Sequence, residues 1–128
     1  MQNKLKFVAD FHKAFGLGTN QEPTINLKDE IINLRFKLMA EENEEYLEAA
    51  RNKDIVEVAD ALGDMLYILC GTIIEHGLQH KIEEVFSEIH RSNMSKLDEN
   101  GNPIYREDGK VMKGANYFKP NIAKILEN

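Results

Sequence analysis

The sequence predicts an all-α fold: an antiparallel bundle of four to five helices with a small C-terminal β-hairpin, in a single domain spanning residues 1–128. Three observations carry this prediction. Apolar residues recur at three- and four-residue spacing through most of the first 94 positions, as one face of a helix requires. The connection between the two central helical patterns is only a few residues long, and short helix connections make antiparallel neighbours. The hairpin-type dipeptides Asn100-Gly101 and Asp108-Gly109 fall only in the last third of the chain, where they flank the short run Ile104-Tyr105-Arg106.

Leu5, Val8, Phe11, His12 and Phe15 define a first helix from about Gln2 to Phe15, which stops at Gly16 or Gly18. His12 reads as a surface or half-buried residue, with a nucleobase contact beside Phe11 or Phe15 as the alternative. Residues 16–23 form a loop, after which Thr24 or Asn26 can cap a long helix that runs out at Asn52. Asp54 caps the next helix, and Glu57 completes the spacing of a capping box. This third helix is apolar on nearly every side from Met65 to Ile74, a pattern expected of a helix enclosed all round. A partner chain could enclose it, and Ala59, Gly63 and Cys70 suit close approach of another helix; tight packing within one chain is the alternative. Gly77 ends the helix between His76 and His80, which argues against a zinc site there. A fourth helix covers Lys81 to about Met94, and a last helical turn lies near residues 122–126.

The chain carries 16 Lys and Arg against 22 Asp and Glu, a net charge of −6, which opposes binding a nucleic acid polymer through its phosphates. The one cysteine, Cys70, excludes an intrachain disulfide; it reads as buried filler and fits a cytoplasmic protein. The N-terminus lacks a secretory apolar region, and the longest apolar run is too short to span a membrane.

The functional signal lies in two acidic helix faces. Ile31, Leu34, Leu38, Glu42, Glu45 and Ala49 share one face of the second helix, so two carboxylates interrupt an apolar stripe. On the third, Glu57, Asp60, Ala61, Asp64 and Ile68 share a face. No Lys or Arg lies between Lys37 and Arg51 or between Lys53 and Lys81, while ten acidic residues lie from Glu41 to Glu75. Desolvated carboxylates need a compensating positive charge, and a bound metal would supply it. An all-oxygen donor set without His or Cys suits Mg, with Mn as the alternative ion. Such a site points to chemistry on a phosphorylated substrate. Solvated helix faces account for Glu44 and Glu48, and capping accounts for Glu57 alone, but neither explains Glu42, Glu45, Asp60 and Asp64 as well.

Glu41-Glu42-Asn-Glu-Glu45 followed by Glu57-Val-Ala-Asp60, the run Asp64-Met-Leu-Tyr67, and the tail Asn93-Met-Ser-Lys96 with Lys113-Gly-Ala-Asn-Tyr117 together resemble the all-α nucleoside triphosphate pyrophosphohydrolases. The resemblance is to the MazG-like and phosphoribosyl-ATP pyrophosphohydrolase-like members and covers about residues 27–120. In many members the Asp of Glu-x-x-Asp itself opens the Asp-Leu-Leu-Tyr-like run. That alignment would give its place to Asp64 and leave Ala61 where the glutamate belongs. The pair Glu57 and Asp60 is preferred, with Asp64 as a third ligand or a supporting residue.

The resemblance implies Mg-dependent hydrolysis of a nucleoside triphosphate to the monophosphate and pyrophosphate, in a house-cleaning role, with non-standard or deoxy nucleotides such as dUTP among the candidates. Glu42, Glu45, Glu57, Asp60 and Asp64 would hold metal, and Glu41 or Glu42 would orient or deprotonate the attacking water. Asn93, Lys96, Lys113 and Tyr117 would contact phosphates or sugar; without the resemblance they read as a solvated tail. A homodimer or homotetramer, intertwined through the helices, is the expected assembly. A non-catalytic helical module with an acidic face is the competing hypothesis. A di-iron carboxylate protein would need Glu-x-x-His pairs, which the sequence lacks.

Overall fold

The computed structural model describes all 128 residues. It contains five helices and no sheet: α1 (Gln2–Ala14), α2 (Asp29–Arg51), α3 (Ile55–Glu75), α4 (Ile82–Met94) and α5 (Ile122–Glu127). Two compact units divide the chain, Met1–His80 and Lys81–Asn128. The helical bundle predicted from periodicity is present.

In the first unit α3 packs against both α1 and α2. Three residues, 52–54, turn the chain from α2 into α3, with Lys53 in the left-handed region at φ 56°. Asp54 caps α3 by accepting a hydrogen bond from the Glu57 backbone N–H at 3.1 Å, a contact worth about 1 kcal/mol. Both α1 and α3 end in a glycine-centred Schellman motif. At the first, Leu17 N–H donates to His12 O at 2.8 Å and Gly16 has φ 70°. At the second, Leu78 N–H donates to Ile73 O at 2.9 Å and Gly77 has φ 69°. A Cβ on Gly77 would also lie 2.0 Å from the Glu22 carbonyl oxygen, so only glycine fits there.

The start of α2 differs from expectation. Neither Thr24 nor Asn26 caps it; the helix begins at Asp29 after Lys28, without a side-chain cap. Tertiary contacts fix the preceding segment instead. Thr24 N–H donates to His76 O at 2.9 Å, and the Thr24 carbonyl lies 2.9 Å from His76 Nδ1. Asn26 N–H donates to the Thr24 hydroxyl at 3.0 Å in a local turn. His76 is thereby committed to this seam.

The apolar core of this unit is small: Leu5, Val8, Ala49, Ala61, Cys70, Ile73 and Ile74. Burial pushes the Cys70 thiol above its usual range. His12 is not the surface or half-buried residue expected; only 2 % exposed, its Nδ1 lies 2.8 Å from the Gly18 carbonyl. Within the unit the stretch from Met65 to Ile74 is covered unevenly. Cys70, Gly71, Ile73 and Ile74 are buried, while Leu66, Tyr67 and Leu69 stay exposed.

In the second unit α4 packs against α5. The Ser92 hydroxyl donates to Phe118 O at 2.8 Å, Phe118 N–H donates to the Ser95 hydroxyl at 3.1 Å, and the Arg91 guanidinium sits 4.4 Å from the Phe118 ring centre. Asn121 N–H donates to Glu88 Oε2 at 2.7 Å, which with Arg91 holds the Glu88 carboxyl below its usual range.

The predicted β-hairpin is not formed. Residues 104–112 make one isolated antiparallel bridge, Tyr105 with Val111, and no strand. Pro103 supplies no N–H to lengthen the ladder, every residue from 101 to 113 is exposed, and a two-stranded ribbon without a covering layer is marginal.

Candidate active site

Because α2 and α3 run antiparallel through a three-residue turn, the last turns of one face the first turns of the other. Between them lies a cleft of about 420 Å³ lined by Glu45, Glu48, Ala49, Asn52, Asp54, Glu57, Asp60 and Ala61. Buried Ala49 and Ala61 are small enough to leave the space open. Glu45, Glu57 and Asp60 were expected from the motif. Glu48, assigned to a solvated face, lines the cleft too. It follows Glu45 by three residues and precedes Asn52 by four, so all three share one helical face; that spacing was readable.

Glu42 and Asp64 do not line this cleft but stand beside it. Glu42 is half-buried, and its Oε2 is shut off from water without a hydrogen-bond partner. Its pKa rises from 4.5 to about 7. Withdrawal from water is the leading cause, followed by a hydrogen bond with the Glu45 carboxyl and the negative charges of Glu45, Asp64 and Asp60. Two carboxyls can share a hydrogen bond only when one keeps its proton. Glu41 is exposed and outside the cleft. No group of three or more of these side chains is already gathered for a metal ion, and like charges without a cation have no reason to converge further. The donor chemistry nevertheless suits a hard divalent cation: the side chains offer carboxylate oxygens, one of them orphaned, with no Lys or Arg between Lys53 and Lys81.

The second unit brings together the four tail residues. Exposed Asn93 offers its carbonyl to Lys96 N–H at 3.1 Å, and the Lys96 carbonyl accepts from Gly114 N–H at 2.9 Å. Tyr117 N–H donates to Gly114 O at 3.2 Å, and the Lys113 ammonium lies 4.8 Å from the Tyr117 ring centre. A Cβ on Gly114 would stand 2.4 Å from the Leu97 carbonyl oxygen, so this close approach depends on glycine.

An acidic cleft between antiparallel helices, in a chain without a sheet, is the arrangement of an all-α pyrophosphohydrolase. Residues 8–93 match the phosphoribosyl-ATP pyrophosphohydrolase family, and the chain belongs to that family, within the MazG-like all-α superfamily. The match crosses the boundary between the two units. The fold is similar to that of a candidate NTP pyrophosphohydrolase from Exiguobacterium sp. 255-15, with a TM-score of 0.51 at 23% sequence identity, over 98% of this chain and 92% of that one. No curated protein matches. The protein is a pyrophosphohydrolase, and no helix in it is long and apolar enough to cross a membrane.

Proposed function

We propose that the protein hydrolyses a nucleoside triphosphate to the monophosphate and pyrophosphate with Mg, or Mn in its place, and that its two units act as one cytoplasmic catalytic domain. The observation that carries the reading is Glu42: a carboxyl half withdrawn from water, among Glu45, Asp60 and Asp64, with no cation from the chain. Glu42, Glu45, Glu57 and Asp60 would hold the metal, with Asp64 as a further ligand or a support. A divalent ion held there would supply positive charge against phosphate oxygens and favour deprotonation of water. Glu42, rather than exposed Glu41, orients the water that adds to the α-phosphorus as the bond to the departing pyrophosphate breaks. Asn93, Lys96, Lys113 and Tyr117 supply the phosphate and sugar contacts. Non-standard or deoxy nucleotides, dUTP among them, are the substrates to test first, as suits a house-cleaning role.

Incubation with a nucleotide panel and Mg, followed by chromatography, should yield monophosphate and pyrophosphate in equal amounts. Release of orthophosphate, or turnover that persists in excess chelator, would overturn the reading. The working form is a homodimer or homotetramer, a proposal supported by the exposed apolar side chains of α3, Leu62, Leu66 and Leu69. Sedimentation should find no monomer at low micromolar concentration; a stable, active monomer would refute it.

A further inference from the structure

A smaller, apolar cavity of the first unit, of about 190 Å³, lies between α1 and α3. Phe7 and Val8 line it from α1, and Gly63, Leu66, Tyr67 and Cys70 from α3; Lys4 is the one charged residue at it. It begins one helical turn from the carboxylates. Gly63 follows Asp60 by three residues of continuous helix, and Tyr67 follows Asp64 by three. Each step is a rise of about 4.5 Å, and residues at that spacing are neighbours on the helix surface.

Gly63 is a residue that the chain itself does not explain. It sits in the interior of a 21-residue helix, where glycine costs stability relative to alanine. Its φ is not positive, so no turn requires it. A Cβ there would meet no atom within 4 Å, so no packing within the chain requires it either. Gly71 on the same helix differs, because a Cβ there would strike Arg35 and His12. What glycine preserves at position 63 is open space on the cavity wall.

Tyr67, by contrast, is held in place. Phe11 meets its ring edge to face, with centres 5.6 Å apart at 87°, and Phe11 itself rests against Phe15 at 4.5 Å. The three rings brace one another, yet Tyr67 keeps 42 % of its surface exposed and Phe7 keeps 65 %. Fixed but uncovered rings, one turn from the carboxylates, suit a flat heteroaromatic ring that is tied to a phosphate.

We propose that this cavity takes the base of the nucleotide substrate: Gly63 leaves the room for it, and Tyr67 and Phe7 supply the aromatic contact. The sugar then spans the single helical turn between the phosphate end, at Asp60 and Asp64, and the cavity. This assignment rests on the proposed reaction for its substrate, and the side chain at position 63 sets how large a group the cavity admits.

The test is a size series in the full chain, Gly63→Ala and Gly63→Leu, together with Phe7→Ser. Pyrophosphate release gives KM for each nucleotide of the panel, and inorganic tripolyphosphate, which has no base, is titrated as a competitive inhibitor. Both position-63 variants should melt no lower than the wild type, because the added side chain enters open space on a helix. KM should rise with the size of that side chain, by at least about tenfold in Gly63→Leu, the equivalent of one lost base–aromatic contact. Phe7→Ser should raise KM in the same direction, and it decides if Gly63→Leu fails to fold. Inhibition by tripolyphosphate should not change in any variant. Unchanged KM in Gly63→Leu or Phe7→Ser, or an equal loss for nucleotide and tripolyphosphate, would overturn the base site. So would sedimentation showing that Gly63→Leu separates associated copies, which would give the cavity to a second copy of the chain. If the wild type releases pyrophosphate from no nucleotide, the proposed reaction fails and binding judges the cavity. Adenosine, guanosine, cytidine and uridine, titrated by amide NMR in excess EDTA, should then shift Gly63 and Tyr67 in the wild type but leave Tyr67 unshifted in Gly63→Leu; no shift in the wild type would overturn the site too.

Discussion

Two carboxylate oxygens in the first unit are shut off from water without a hydrogen-bond partner, Glu42 Oε2 and Glu75 Oε1, and their surroundings are opposite in sign. Glu75 has one cation of the chain beside it, Arg35. His12 Nδ1 lies 3.9 Å away, and the Arg35 guanidinium, tied to the Thr72 hydroxyl at 3.0 Å and to Ile68 O at 2.7 Å, feels its charge. Gly71 makes room for this group, since a Cβ there would stand 2.5 Å from Arg35 Nη2 and 2.8 Å from His12 Nε2. Glu42 has only other carboxyls. A buried charge compensated from within ties helices together, whereas one left uncompensated leaves a place for a cation from outside. Glu75 closes one end of α3, whereas Glu42 lies on α2 beside Asp60 and Asp64, toward the other end of α3.

The hardest test of this contrast is Glu45→Gln. It keeps the shape and removes one charge from the uncompensated end, so pyrophosphate release should fall on the order of 1000-fold, the equivalent of the several kcal/mol a metal supplies. Thermal unfolding of the metal-free protein should be unchanged or shifted upward. Near-normal turnover with the same Mg-induced stabilisation would remove the metal site from α2.

At the compensated end the effect should appear in stability instead. Arg35→Met leaves Glu75 buried beside an apolar side chain and should cost about 3 kcal/mol in denaturant unfolding, with or without Mg. A loss below about 0.5 kcal/mol would show that Glu75 does not depend on this cation.

The pH dependence of the metal-free protein sharpens the comparison further. The Glu42 pKa is raised in the folded state, so between its ordinary value and about 7 the native protein binds more protons than the unfolded chain. Its stabilising contribution is therefore complete below pH 4.5 and is lost as pH rises through 7. Calorimetry should find a downward slope of the melting temperature over that window, and Glu42→Gln should flatten it. An unchanged slope in the variant would assign the effect to other groups.

The smallest effects are expected in the second unit. If Lys113 and Tyr117 hold phosphates equally in ground and transition states, Lys113→Ala and Tyr117→Phe should raise KM up to about tenfold with little change in kcat. A fall in kcat at unchanged KM would contradict that role.

Most helix boundaries were legible because their signals are local: the Asp54 cap, Gly16 and Gly77, and the apolar spacing of α1 and α4 act within a turn or two of chain. That Glu45, Glu57 and Asp60 line one cleft was legible for the same reason, since one short turn sets the two helix ends side by side. Non-local contacts escaped the pattern. Thr24 reads as a helix cap until His76, 52 residues away, takes its carbonyl, and His12 reads as a surface residue until Gly18 and Glu75 enclose it. The Asn-Gly and Asp-Gly dipeptides promise a hairpin, yet turn chemistry provides no surface to cover its strands. By itself the sequence determined the helices and the excess of negative charge between α2 and α3. Which buried carboxylate finds a cation within the chain was decided by the tertiary structure, because electrostatic compensation depends on distance in space and Arg35 lies forty residues from Glu75.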